Sequence, residues 1–217
     1  MTATGAPRLR ALIERTAPPA PDRPAGEQRE HCELCGLPVP EVHRHVVDLG
    51  RRQLLCACRA CQVLFDHDAA GGRHYRLVPD RCIRLDGLRL DDLAWRSLDL
   101  PVEMAFFLRE GRTGRVSAIY PSPAGCTESE LELAAWSEIE ADNPSLAQMR
   151  PDVEALLVNR AGDARDAFVV GVDECYRLVA LVRRHWRGLG GGDAVWQQLA
   201  RYFEGLHAKA GRRRSRP

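Results

Sequence analysis

Cys32-Glu33-Leu34-Cys35-Gly36 and Cys58-Arg59-Ala60-Cys61 are two C-x-x-C turns, and the stretch from His31 to Phe65 that contains them holds five of the eight cysteines. A C-x-x-C turn sets two thiolates on one side of a tight loop, so two such turns can meet as a tetrahedron around one ion at about 2.3 Å per sulfur. Between them, Val42 to Leu49 is rich in β-branched residues, Gly50 suits a reversal, and Gln53 to Cys56 leads back into the second turn. The pattern predicts a hairpin with a knuckle at each end, a zinc-ribbon-like module over residues 30–66. So short a piece has too little apolar surface for a core of its own. A structural zinc contributes an apparent ~10 to 16 kcal/mol of folding free energy, more than the hairpin can bury.

The ligand set read from this spacing is Cys32, Cys35, Cys58 and Cys61, with zinc as the ion and iron as the alternative. Cys56 stands too close to Cys58 for a normal knuckle and is assigned to the last position of the second strand. His31, His43 and His45 are given no ligand role, because four cysteines complete a tetrahedron. His43 and His45 alternate along a strand and are expected to share an exposed polar face. Disulfides are disfavoured, since Met1 to Pro19 has no apolar core of the length a secretory signal needs. The expected compartment is a reducing cytoplasm.

Composition narrows the function classes. Hydrophobic residues make up 45% of 217 positions, which is ordinary for a globular protein, and the formal net charge is only +1. That balance argues against a protein that coats nucleic acid or anionic membrane. The longest apolar runs, such as Leu178 to Val182, fall far short of the ~20 residues that span a bilayer, so no membrane insertion is expected.

Outside the ribbon, the prolines of Met1 to Arg29 predict a disordered tail over residues 1–29. An α+β domain is read over residues 67–208, followed by a basic disordered tail over 209–217. Short strands are expected at His74 to Val78 and Cys82 to Leu90, and a hairpin at Val102 to Leu108 with Arg115 to Tyr120. Thr127 and Glu130 match a T-x-x-E capping box, which predicts a helix with Leu131, Ala135 and Ile139 on one face, ending near Asn143-Pro144. A second hairpin, Val153 to Val158 with Ala167 to Val172, leads to a helix capped by Asp173 with Cys175, Val179, Val182 and Trp186 as its apolar stripe. Asp193 is expected to cap a last helix. The order after the ribbon reads ββαββαα, with antiparallel hairpins packed on helices and the two ββα halves resembling a duplication.

Few other motifs carry chemistry. Asp66, His67, Asp68 and His74 sketch a second metal site but sit beside Gly71-Gly72, where polar residues serve a solvated turn. Gly190-Gly191-Gly192-Asp193 opens a helix without a Walker lysine, and Asp193 puts negative charge where a phosphate would sit. Cys126 is placed just before a helix N-terminus, where the dipole activates a thiol, with His185 or His74 as the histidine of a dyad. No catalytic or cofactor-binding residue is assigned from these patterns.

Three C-terminal stretches carry a resemblance. Tyr120-Pro121-Ser122-Pro123-Ala124-Gly125 with Thr127-Glu128-Ser129, Pro151-Asp152-Val153-Glu154-Ala155-Leu156-Leu157, and Asp173-Glu174-Cys175-Tyr176-Arg177-Leu178-Val179 followed by His185-Trp186-Arg187-Gly188 resemble an uncharacterised bacterial family encoded beside high-affinity nickel–iron uptake hydrogenases. The resemblance spans about residues 30–208. It implies hydrogenase subunits or maturation factors as partners and transfers no catalytic residue. The expected function is therefore a non-enzymatic metal-binding accessory protein for assembly or maturation of an uptake hydrogenase. The alternatives are a rubredoxin-like iron electron carrier, a zinc-ribbon nucleic-acid binder, and an enzyme using Cys126.

Overall fold

The computed structural model describes residues 30–66, 74–122, 125–131, 133–188 and 190–214. The expected N-terminal tail and the residues at 67–73, with His67 and Asp68, lie outside the described residues. The ribbon hairpin is β1 (Arg44–Asp48) paired antiparallel with β2 (Gln53–Ala57), followed by the short helix α1 (Arg59–Leu64). A third strand, β3 (Tyr75–Leu77), pairs with the other edge of β1, so the ribbon sheet extends past residue 66 in the order β2-β1-β3.

The larger body is α+β, as expected, and its centre is a six-stranded antiparallel sheet in the order β4-β9-β8-β5-β6-β7. These strands are β4 (Cys82–Arg84), β5 (Met104–Arg109), β6 (Val116–Ser122), β7 (Gly125–Glu130), β8 (Glu154–Asn159) and β9 (Asp166–Gly171). Both predicted hairpins form. They join through the β5–β8 pairing, which sets Phe106, Leu157 and Phe168 in one row and Phe107, Leu156 and Val169 in the next. Because side chains alternate across a strand, the rows face opposite sides of the sheet.

The first row packs with α4 (Val172–His185) and α5 (Asp193–Arg214), through Leu178, Val182, Leu199 and Phe203. The second packs with α2 (Asp92–Ser97), α3 (Leu133–Asp142) and a 3-10 turn at Pro144–Gln148, through Trp95, Trp136, Ile139 and Leu146. The result is three layers, helix on sheet on helix. The two ββα halves therefore do not repeat each other in space, since α3 and α4 lie on opposite faces.

Four expectations need correction. Thr127 to Glu130 is strand β7, opposite Tyr120 to Ser117, and α3 begins only at Leu133. Gly125, at φ +141°, allows the reversal, and the exposed edge strand carries charges that meet Arg52 and Arg115 through Glu128 and Glu130. The T-x-x-E spacing suits an alternating edge strand as readily as a cap. Cys82 to Leu90 shrinks to a three-residue strand, and α2 was not foreseen; Asp91 caps it by accepting from the Ala94 N–H at 2.8 Å. Asp173 lies in the first turn of α4, whose N-cap is Gly171. Residues 209–214 continue α5, with Lys209 bridging Asp80 at 2.8 Å and Glu174 at 3.0 Å.

Glu154 is fully buried at the start of β8. It is answered by Arg81, whose guanidinium donates to Oε2 at 2.8 Å, and by the Arg150 backbone N–H at 2.8 Å. A buried carboxylate left without its cation is costly. Arg81→Met should lower stability by about 3 to 5 kcal/mol in urea titrations, and adding Glu154→Met should restore most of the loss.

Candidate metal centre

The first knuckle is shaped by backbone bonds. The Cys32 N–H donates to Leu37 O at 2.7 Å, the Gly36 N–H donates to Cys32 O at 2.8 Å, and Gly36 takes φ +76°, a conformation favourable to glycine. The second knuckle uses a helix start: Cys58 is the N-cap of α1 and Cys61 lies in its first turn. The hairpin brings the two together, with the Glu33 N–H donating to Cys56 O at 3.0 Å and the Cys56 N–H donating to the Glu33 carboxylate at 2.7 Å. All four sulfurs of Cys32, Cys35, Cys58 and Cys61 then lie within 4.8 Å of one another, and the Cys35 and Cys58 sulfurs approach to 3.5 Å.

A tetrahedron with metal–sulfur bonds of about 2.3 Å needs sulfurs separated by ~3.8 Å, so the cluster fits a four-coordinate ion. None of the eight cysteines is in a disulfide. Electrostatics points the same way. Burial opposes ionisation of Cys32, yet the backbone amides of Cys58, Leu34 and Cys35 outweigh it and bring this thiol down to about 6. Burial, reinforced by the neighbouring sulfurs, pushes Cys61 far above the ordinary thiol value. At Cys35 the Leu37 backbone favours the thiolate, but the Cys58 and Cys32 sulfurs prevail and its pKa rises. Sulfurs this close resist sharing several negative charges, and a divalent cation removes the conflict.

The cluster closes a small core of its own, in which Val39, Val46, Ala57 and Leu77 pack with the three buried cysteines while Cys35 is exposed. Cys56 stands outside it, one residue before the end of β2 and directly opposite His45. Burial, then Glu30 and Glu33, push its thiol up to about 11.

A model of a protein family matches residues 31–210, from the position before the first knuckle cysteine to Ala210 on α5. The chain belongs to that family. It is described as a family of unknown function, DUF5947. No curated protein and no solved structure matches the chain. The DUF5947 match takes in the ribbon and the α+β body together.

Other sequence-level candidates fare differently in this DUF5947 chain. Cys126 is exposed on edge strand β7, opposite Pro121, so it has no helix dipole behind it. Among the described residues no hydrogen bond links it to a histidine. Cys175 is completely buried, and burial pushes its thiol well above the ordinary value, as its place on the apolar stripe implied. Gly191 and Gly192, at φ +82° and +73°, reverse the chain between α4 and α5, and Gly191 O accepts from the Arg187 N–H at 2.9 Å. His43 and His45 do not form an exposed face. The His43 side chain is only 4% exposed, and His45 Nδ1 lies 3.1 Å from Asp173 on α4. Strand periodicity reported that these histidines share a face, but not that the face meets another part of the chain.

One ion held by the four sulfurs is the expected outcome. Cys58→Ser should strip it and open residues 30–66 to protease, whereas Cys56→Ser should leave the four-sulfur ion in place, both measured by metal analysis and limited proteolysis. Extraction by a chelator should accelerate as pH falls, because protons compete for the ligand thiolates.

Proposed function

We propose that the chain is a non-enzymatic zinc-binding accessory protein of the cytoplasm. It docks on a subunit or maturation factor of a nickel–iron uptake hydrogenase. The observation that carries the docking role is the placement of exposed apolar side chains. Leu37, Val42, Val63 and Leu64 are all exposed on the ribbon, Val42 at 89%. Several large apolar groups left in water on so small a module, two of them adjacent at Val63 and Leu64, support a surface that a protein partner covers. The hydrogenase setting rests on the sequence resemblance of the motifs around residues 120–129, 151–157 and 173–188.

Zinc is favoured over iron because closed four-thiolate sites in ribbons serve structure, and zinc has no redox chemistry to be kept in check. No helix among the described residues is long and apolar enough to cross a membrane.

The test separates docking from metal binding. A Val63→Asp/Leu64→Asp variant changes exposed positions only, so it should keep its ion and its circular dichroism yet lose capture of hydrogenase subunits in a pull-down. Undiminished hydrogenase activity in cells lacking the gene would overturn the reading. So would nucleic-acid binding that persists at physiological salt, where a purely electrostatic association fades. Protein isolated red, with a reversible one-electron couple, would replace zinc by iron and the accessory role by electron transfer.

A further inference from the structure

We propose that His43, His45 and Cys56 form a second metal site, distinct from the four-cysteine cluster, that binds a zinc-class divalent ion through two imidazoles and one thiolate. One nitrogen of each ring and the Cys56 sulfur lie within 4.8 Å of one another. The strand register explains the convergence. His45 pairs directly with Cys56 across the hairpin, and His43 lies two residues before His45, so the three side chains share a face. Val46, the next residue after His45, and Ala57, the next after Cys56, point the other way, into the core of the four-cysteine cluster. The two sites thus occupy opposite faces of one hairpin.

The hydrogen bonds fix which nitrogens are free. His43 Nδ1 lies 2.9 Å from Pro40 O, and His45 Nδ1 lies 3.1 Å from the Asp173 carboxylate. Both partners are acceptors, so in the neutral rings each Nδ1 carries the proton and each Nε2 keeps its lone pair. A histidine anchored through one nitrogen to a carbonyl or carboxylate, with the other left bare, has the arrangement that orients metal-bound imidazoles. His43 Nε2 is moreover buried without a hydrogen-bond partner among the described residues, and its side chain is only 4% exposed. Leaving such an atom unsatisfied is unfavourable, and an ion would satisfy it.

Glu30 approaches that nitrogen as well, with Oε2 3.6 Å from His43 Nε2. Glu30 is mostly exposed, so the fourth position falls to its carboxylate or to water. The histidines and Glu30 line a cleft of about 1040 Å³ between the ribbon and α4, which gives the ion an entry path. Binding uses the imidazoles in their neutral form and releases the Cys56 thiol proton to solvent. Three protein donors with an exchangeable fourth make an open site, unlike the closed four-sulfur cluster.

Cadmium-113 NMR of the full chain loaded with cadmium reads the two environments separately, since each sulfur ligand shifts the resonance in the same direction. Two ions per chain and two resonances are expected, one from a four-sulfur site and one from a mixed nitrogen–sulfur site. Cys56→Ser and the conservative His43→Gln should each remove the second resonance, lower the stoichiometry from two to one, and leave the first resonance in place. Asp173→Asn should keep both resonances but weaken the second ion by about 10- to 100-fold, the usual effect of losing an orienting partner. A single ion per chain in the unaltered protein, or loss of the four-sulfur resonance in Cys56→Ser, would overturn the proposal. Neither outcome bears on docking at Val63 and Leu64.

Discussion

Strand β8 has all six residues buried, and the rest of the molecule follows from that constraint. A strand covered on both faces needs paired neighbours at each edge and apolar layers above and below. β5 and β9 supply the edges, α4 with α5 covers one face, and α2 with α3 covers the other. The helices cannot drift, because each fills a row of side chains set by the register. One consequence reaches the ribbon. α4 starts immediately after β9, so the sheet decides where the first turn of α4, with Asp173, meets His45.

Much of this was legible in the sequence. The four cysteines could be paired from spacing alone because a C-x-x-C turn is local geometry, and the hairpin between them followed from Gly50 and its flanking strands. The hairpins β5–β6 and β8–β9 were equally readable, with loops of suitable length between apolar runs. What escaped depended on distant partners. β7 is an edge strand only because β6 lies beside it; alone, Thr127 to Glu130 fits a helix cap. β3 is three residues long and has meaning only through its pairing with β1. The inward orientation of His43 and His45 required knowing that α4 would arrive against the ribbon.

The ribbon and the α+β body share a seam of mixed character. Val47 and Val78 pack against Val153 and Val172, an apolar contact that needs no ion. Around it, Arg76 donates to Asp152 at 3.1 Å, and Arg52 donates to Glu128 at 2.8 Å. The partly exposed pairs add little stability in water, so the valines hold the seam while the charges fix its angle.

Gly171 marks how tight that seam is. A β-carbon there would fall 2.6 Å from the Asp173 carboxylate, 2.8 Å from Pro79 O and 2.8 Å from the Val78 side chain. Three segments meet where only a hydrogen atom fits: the end of the sheet, the start of a helix, and the strap leading out of the ribbon. Any side chain at position 171 would have to push the strap away from the helix start, so the join between ribbon and sheet tolerates no residue there but glycine.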